Sequence, residues 1–315
     1  MKTSKTIATV SAVTLIATAG LLFAGPLNPP AGPVTSTMKT LTEVEPRIAI
    51  NSTNTPGDGD SVFKITQPGS YYLTANTTVL AGMTGVEVAT DNVTIDLNGF
   101  SIQPFGAASS AVRADPDKTI VLKNGFIRGP FQDSAIFAQG GGTFEDIEFA
   151  NARLYSTQVT SIRRCQFTID QSATAISLHG VSGGVIEDCQ ITLTHPSAEG
   201  VFSNRLGTVV RNCTVISTAT AGTSKALTLY AEMGGAYTGS LVTGCTIIGP
   251  FSMGIDCGNG VNINDCVIQS AVIGIRASSN CVVEHNRLLS CTTGIDLIQS
   301  NGTTVVRNLL RSCTT

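Results

Sequence analysis

The sequence predicts an all-β chain wound as a parallel β-helix of about ten rungs. Three observations carry that reading: an apolar frame recurring about every 22 residues, a bend built into the frame, and a third short strand that recurs with it. The frame is plain in "VIEDCQITL" (Val185–Leu193) and again, 24 residues on, in "VVRNCTVIS" (Val209–Ser217). Each has an apolar residue three before a central anchor and another two after it. Ten copies align, anchored on Asn98, Asn124, Ile147, Cys165, Cys189, Cys213, Cys245, Cys266, Asn286 and Asn308. All twenty flanking positions are apolar, from Ile95 and Phe100 to Val305 and Leu310, at spacings of 18 to 32.

Parity supplies the bend. The anchor and the residue two after it share a strand face, whereas three residues is an odd step, so the backbone must turn between them. Six of ten residues just before the anchor are Asp146, Asp188, Asn212, Gly244, Asp265 and His285. Those types tolerate the left-handed backbone region best. The third strand reads Gly or Ala, apolar, any residue, then apolar or small: "GVEV" (Gly85–Val88), "AIFA" (Ala135–Ala138), "AISL" (Ala175–Leu178), "GIDC" (Gly254–Cys257), "GIRA" (Gly274–Ala277) and "GIDL" (Gly294–Leu297). Three short strands per repeat with inward apolar alternation make one coil of a solenoid.

Composition agrees. Of 315 residues, 42% are apolar and 13% charged, with 32 glycines and no tryptophan. That favours short strands joined by turns over helices. A net charge of −3 argues against a nucleic-acid partner held through phosphates.

The chain opens as an export signal. Lys2 and Lys5 precede an apolar run from Ile7, and small residues close it, with cleavage placed after Ala24. The other reading is an uncleaved membrane anchor, since Ile7–Ala24 is 18 residues long. The expected location is secreted, cell-surface or periplasmic. Residues 25–60, with "PLNPPAGPV" (Pro26–Val34), read as a Pro-rich leader. Residues 61–80 alternate around "QPGS" and read as a β-hairpin cap ahead of a coil over 81–315.

The corner with an inward residue behind it resembles the asparagine-ladder turn of right-handed parallel β-helix families: pectate lyases, polygalacturonases and NosD-like exported proteins. The resemblance spans roughly Val79–Thr315 and is nearest to uncharacterised exported bacterial members. It implies a right-handed coil in which Asn98, Asn124, Asn286 and Asn308 form the ladder, with Cys165, Cys189, Cys213, Cys245 and Cys266 in the central rungs. Three readings of those cysteines stay open: a packing column, one or more disulfides, or a soft metal site. No CxxC occurs, and rungs about 4.8 Å apart are slightly wide for a disulfide.

The resemblance also implies that the outer face of the third-strand sheet is the polysaccharide groove. Its outward stripe reads Glu87, Arg113, Phe137, Tyr155, Ser177, Phe202, Thr228, Asp256, Arg276, Asp296. Asp256 and Asp296 stand roughly 9–10 Å apart with Arg276 between. That separation is near the range of about 6.5–9.5 Å in inverting glycosidases, and an Arg can recognise a uronate. The same pattern also serves as a plain charge ladder. Phe137, Tyr155 and Phe202 are candidate sugar contacts. So are Tyr230, Glu232 and Tyr237 in the loop "YAEMGGAYTGS", which lengthens one rung.

The families' catalytic motifs are missing: "NTD", "DD", "GHG", "RIK", "WIDH", "QDTL" and "GRPW" do not occur. "LHG" (Leu178–Gly180) lacks the first glycine of "GHG", so His179 reads as a turn residue. Asp58 and Asp60 in "PGDGDS" read as solvated turn acids rather than a calcium pair. Neither a metal nor a cofactor is expected. The expectation is a non-catalytic module that binds polysaccharide or builds envelope structure; the alternative is a lyase or glycoside hydrolase acting on an acidic glycan. An apolar row, Val185, Val209 and Leu241, suggests cover by the N-terminal segment or by a partner chain. A final rung at "NLLRSCTT" suggests either a truncated chain or completion by another subunit, such as a second copy, or by a further domain.

Overall fold

The computed structural model describes residues 46–180, 183–220, 222–230 and 239–314. Arg47–Thr315 forms one compact unit. Among the described residues there is no helix, and the strands pair in parallel, each with its counterpart one turn along the chain. An isolated antiparallel bridge joins Pro56 and Phe63. An eleven-stranded sheet carries the third strands, from Ser61–Ile65 to Thr293–Leu297. The first and second strands form a twenty-one-stranded sheet, made continuous where Ile120–Arg128 and Gly142–Ala150 run through the corner. The core fills the coil with stacked aliphatic columns such as Ile162, Ile186, Val210, Val242, Ile263 and Val283, all buried and in register.

The corner falls where parity requires it. Asp146, Arg164, Asp188, Asn212, Gly244, Asp265, His285 and Arg307 precede their anchors with φ between 51° and 62°. Arg164 is not a type that favours this region. Its guanidinium is held bidentately by Asp146 of the preceding rung, Nε to Oδ1 at 2.8 Å and Nη2 to Oδ2 at 2.9 Å.

Behind the corner, thiol and amide make the same bond. Cys165, Cys189, Cys213, Cys245 and Cys266 are buried free thiols, donating at 3.6–3.9 Å to the carbonyls of Phe144, Ile162, Ile186, Val210 and Val242 one rung earlier. Asn286 Nδ2 donates to Ile263 at 3.0 Å and Asn308 Nδ2 to Val283 at 2.8 Å, the equivalent carbonyls. Hydrogen bonds with the Cys165 and Cys213 thiols, and then burial, hold the Cys189 thiol far above its ordinary range, so it stays protonated and inert.

Asn98 and Asn124 do not belong to this column. Both are exposed, with φ of 53° and 60°, and are themselves corner residues. In the rung of Asn124 the inward position is Gly125, paired with Ile147, and the flanking core residues are Leu122 and Ile127. Leu97 fills the space over Gly125, where an added Cβ would lie 2.4 Å from that of Leu97. The frame is therefore one residue out in the rung of Asn124, where a one-residue slip exchanges inside for outside. In the rung of Asn98, Ile95 is a core residue in register with Leu122, and the second core position is Ile102 rather than Phe100.

Residues 61–80 are a turn of the coil rather than a hairpin. Ser61–Ile65 pairs in parallel with Thr84–Val88, Gly69–Leu73 with Val93–Asp96, and Thr77–Leu80 with Ser101–Phe105. Ile48–Ile50, within the stretch expected as leader, pairs with the strand at Tyr71–Leu73. Alternation identifies a strand but not its partner, and here each partner lies a full turn away. The coil accordingly has eleven third strands among the described residues, against ten expected rungs. The export signal and the leader up to residue 45 lie outside the described residues.

The outer face of the first-strand column carries charges of alternating sign. Asp96, Lys123, Glu145, Arg163, Glu187 and Arg211 are successive register partners. Arg211 lies 2.7 Å from Glu187, and Arg163 lies 3.5 Å from Glu187 and 3.9 Å from Glu145. Hydrogen bonding to Arg211 holds the Glu187 carboxyl below its ordinary 4.5. A depressed carboxyl stabilises the fold above its unfolded pKa, and that contribution is lost as pH falls through the folded value. Glu187→Gln should therefore flatten the fall of Tm as pH drops below 4.5; an acid limb identical to that of the parent would reject the ladder's role.

Candidate functional site

The third-strand sheet presents two outward columns. The first runs Lys64, Glu87, Arg113, Phe137, Tyr155, Ser177, Phe202, Thr228, Asp256, Arg276, Asp296, every neighbour in register. The second lies three residues earlier on each strand and includes Thr174, Glu199, Lys225, Met253, Ile273 and Thr293. Between the columns two consecutive residues are buried, as in Gly200 and Val201. Strict alternation does not allow that. Gly200 does, because its backbone passes so close to the next rung that a Cβ would lie 2.5 Å from the Ala226 carbonyl.

Part of the first column is an aromatic stack. Phe137 and Tyr155 lie with ring centroids 5.0 Å apart at 11°, and Tyr155 and His179 at 5.1 Å and 29°. His179 and Phe202 follow at 5.2 Å and 37°. Arg113 sits over the free face of Phe137 at 4.9 Å. Ser177 is too short to continue the stack, and His179 fills the gap, its Nε2 2.9 Å from Ser177 Oγ. His179 is thus more than a turn residue, and it forms a Ser–His pair that no spacing in the chain foreshadows. Stacked rings cover one another's faces, so Tyr155 is closed as a flat platform for sugar. Phe202 ends the stack and lines a cleft.

That cleft, of about 290 Å³, is lined by Ser197, Ala198, Glu199, Phe202, Thr223, Lys225, Thr228 and Tyr230. Glu199 spans three rungs, its Oε2 accepting from Thr174 Oγ1 at 3.1 Å and its Oε1 from Thr228 Oγ1 at 2.5 Å. Lys225 Nζ donates to Asp256 Oδ2 at 2.8 Å. Burial first, and then a hydrogen bond to Asp256, push the Tyr230 phenol well above its ordinary value, so it remains protonated and serves as a donor.

This geometry separates the three residues expected as a catalytic set. Asp256 is 1% exposed, closed off beneath Lys225 and Tyr230. Arg276 gives its Nε to Asp296 Oδ2 at 3.0 Å, and no ion pair joins it to Asp256. The strict minus–plus–minus ladder is replaced by two separate pairs, Lys225–Asp256 and Arg276–Asp296. Of the expected sugar contacts, Phe202 and Tyr230 come together in the cleft, Phe137 and Tyr155 lie along the stack, and Glu232 and Tyr237 lie outside the described residues. Thr174, Glu199 and Lys225 were missed. Their signal was the residue just before each Gly or Ala of the third-strand motif.

At the other end of the stripe, carboxylate oxygens of Asp58, Asp60 and Glu87 lie within 4.8 Å of one another. Lys64 Nζ stands 2.8 Å from both Asp58 and Glu87, in the place a cation would take.

A parallel coil with an outward cleft on its third-strand sheet defines the class. The chain belongs to the right-handed β-helix family: the model described as right handed beta helix region matches residues 110–310. Among solved structures it is similar to the A-module of the mannuronan C-5 epimerase AlgE4 of Azotobacter vinelandii, with 12% identity and a TM-score of 0.43, covering 78% of this chain and 87% of that one. It is also similar to the deglycosylated pectin methylesterase of Aspergillus niger, with 14% identity and a TM-score of 0.29, covering 85% of each chain. No curated protein matches the chain.

Proposed function

We propose that the protein is an exported, non-catalytic module that binds polysaccharide in the cleft around Phe202 and Tyr230. The observation that carries this reading is the cleft itself: a terminal aromatic ring, a protonated phenol, three hydroxyl side chains, one carboxylate and one lysine on a β-sheet. Hydroxyls and a phenol suit the donors and acceptors of a sugar, and a ring at the edge suits its apolar face. Lys225 and Arg276 nearby are each already paired with a carboxylate, which supports binding rather than proton transfer.

A second reading, hydrolysis or elimination, draws on Glu199, the carboxylate that lines the cleft without an ion pair among the described residues. A panel of neutral and charged glycans, followed by calorimetry, reducing ends and ultraviolet absorbance, separates the two. Binding without turnover is expected, weakened roughly tenfold by Phe202→Ala or Tyr230→Ala, on the scale of a lost aromatic or hydrogen-bonding contact. Turnover abolished by Glu199→Gln would establish the enzyme reading instead.

A further inference from the structure

The charges around the cleft bear on which sugar it takes. Lys225 is committed to Asp256 at 2.8 Å, and Arg276, in the rung beyond, to Asp296 at 3.0 Å. Tyr230 lines the same cleft. Glu199 has only the hydroxyls of Thr174 and Thr228, with no lysine or arginine paired to it among the described residues. The cleft therefore holds an unbalanced negative charge at its wall. A uronate would bring a second carboxylate to that wall with no free cation to receive it, and like charges this close repel. An ammonium substituent meets the opposite situation. It would complete Glu199 with a charge-assisted bond, and Phe202 and Tyr230, aromatic residues of the kind that attract cations, line the same cleft.

We propose that the cleft selects a glycan unit bearing a free amine, with Glu199 receiving the ammonium and the paired state of Lys225 excluding uronates. This rests on the polysaccharide-binding reading and adds the substrate class to it. The test is calorimetric titration of the whole chain with three probes of equal length: a glucosamine tetramer, its N-acetylated counterpart and a galacturonate tetramer. The amine-bearing tetramer is expected to bind roughly tenfold tighter than the N-acetylated one, since a hydrogen bond to a charged group is stronger than a neutral one. That preference should shrink as salt rises, and Glu199→Gln, nearly isosteric, should remove it. The galacturonate tetramer should not compete. Equal or tighter binding of the N-acetylated or galacturonate tetramer to the unsubstituted protein overturns the inference while leaving polysaccharide binding in place. So does a preference that survives Glu199→Gln. Absence of binding by all three overturns both.

Discussion

Arg205→Ala is expected to lower the unfolding free energy by about 2–4 kcal/mol, the scale for buried carbonyls left without a donor. Arg205 is 1% exposed and is the largest fully buried side chain among the described residues. It rises from the turn after Glu199–Ser203 into the coil and reaches across two earlier rungs. Nε donates to the His179 carbonyl at 2.6 Å, Nη1 to the Gln158 carbonyl at 2.5 Å, and Nη2 to the Ser156 carbonyl. None of these partners is a carboxylate. Burial pushes its pKa down to about 10, so the guanidinium stays charged at neutral pH. Its compensation is geometric: a planar fork with five donors meets carbonyls fixed by two stacked turns. Alanine would leave those carbonyls unpaired in a polar pocket that also holds Ser156–Thr160 and Ser203–Thr208 hydroxyl pairs at 2.6 and 2.7 Å. Arg205→Lys keeps the charge but not the fork, and should recover less than half of the loss. Urea midpoints with the slope held constant measure both. A loss below about 1 kcal/mol for Arg205→Ala would mean that the fork contributes little.

How much of this was legible follows from what a periodic pattern can encode. The aliphatic columns and the corner were readable because each rung repeats them, so Ile186, Asp188 and Ile191 occupy the places their spacing assigns. Asn98 and Asn124 misled because asparagine suits both the ladder and the left-handed corner, and in the rung of Asn124 an apolar residue stands beside each flanking position of the true frame. Val121 and Phe126 adjoin Leu122 and Ile127, so a slipped frame still looks apolar. The hairpin at 61–80 failed for a different reason: parallel partners a turn apart leave no local mark on a strand. In the candidate site, the outward stripe followed from the motif, but Glu199 and Lys225 required two consecutive inward residues that strict alternation forbids. Arg205 was hidden altogether. Its role depends on carbonyls in other rungs, which carry no side-chain signature, and in sequence "SNRLGT" is an ordinary surface turn.

Asn286→Ala should cost about 2–4 kcal/mol, for two backbone groups left unpaired in the core. Asn286 is fully buried. Its Oδ1 accepts from the Cys266 amide at 3.0 Å, while Nδ2 donates to the Ile263 carbonyl at 3.0 Å and to Asn308 Oδ1 at 3.0 Å. Alanine removes acceptor and donor together, and buried backbone groups without partners are costly because the unfolded chain gives them water. Asn286→Cys is the informative companion. A thiol there can make the bond that Cys266 makes to the Val242 carbonyl at 3.9 Å, but it returns no comparable acceptor to the Cys266 amide. The cysteine variant should therefore fall between parent and alanine, losing about 1–2 kcal/mol, close to the loss of one hydrogen bond. If the two variants were equally unstable, the shared carbonyl contact would not be what makes cysteine and asparagine exchangeable along the column. An intermediate loss would assign that exchange to one donor reaching one carbonyl, with the amide's second bond as the increment that distinguishes the rungs at Asn286 and Asn308 from the five cysteine rungs before them.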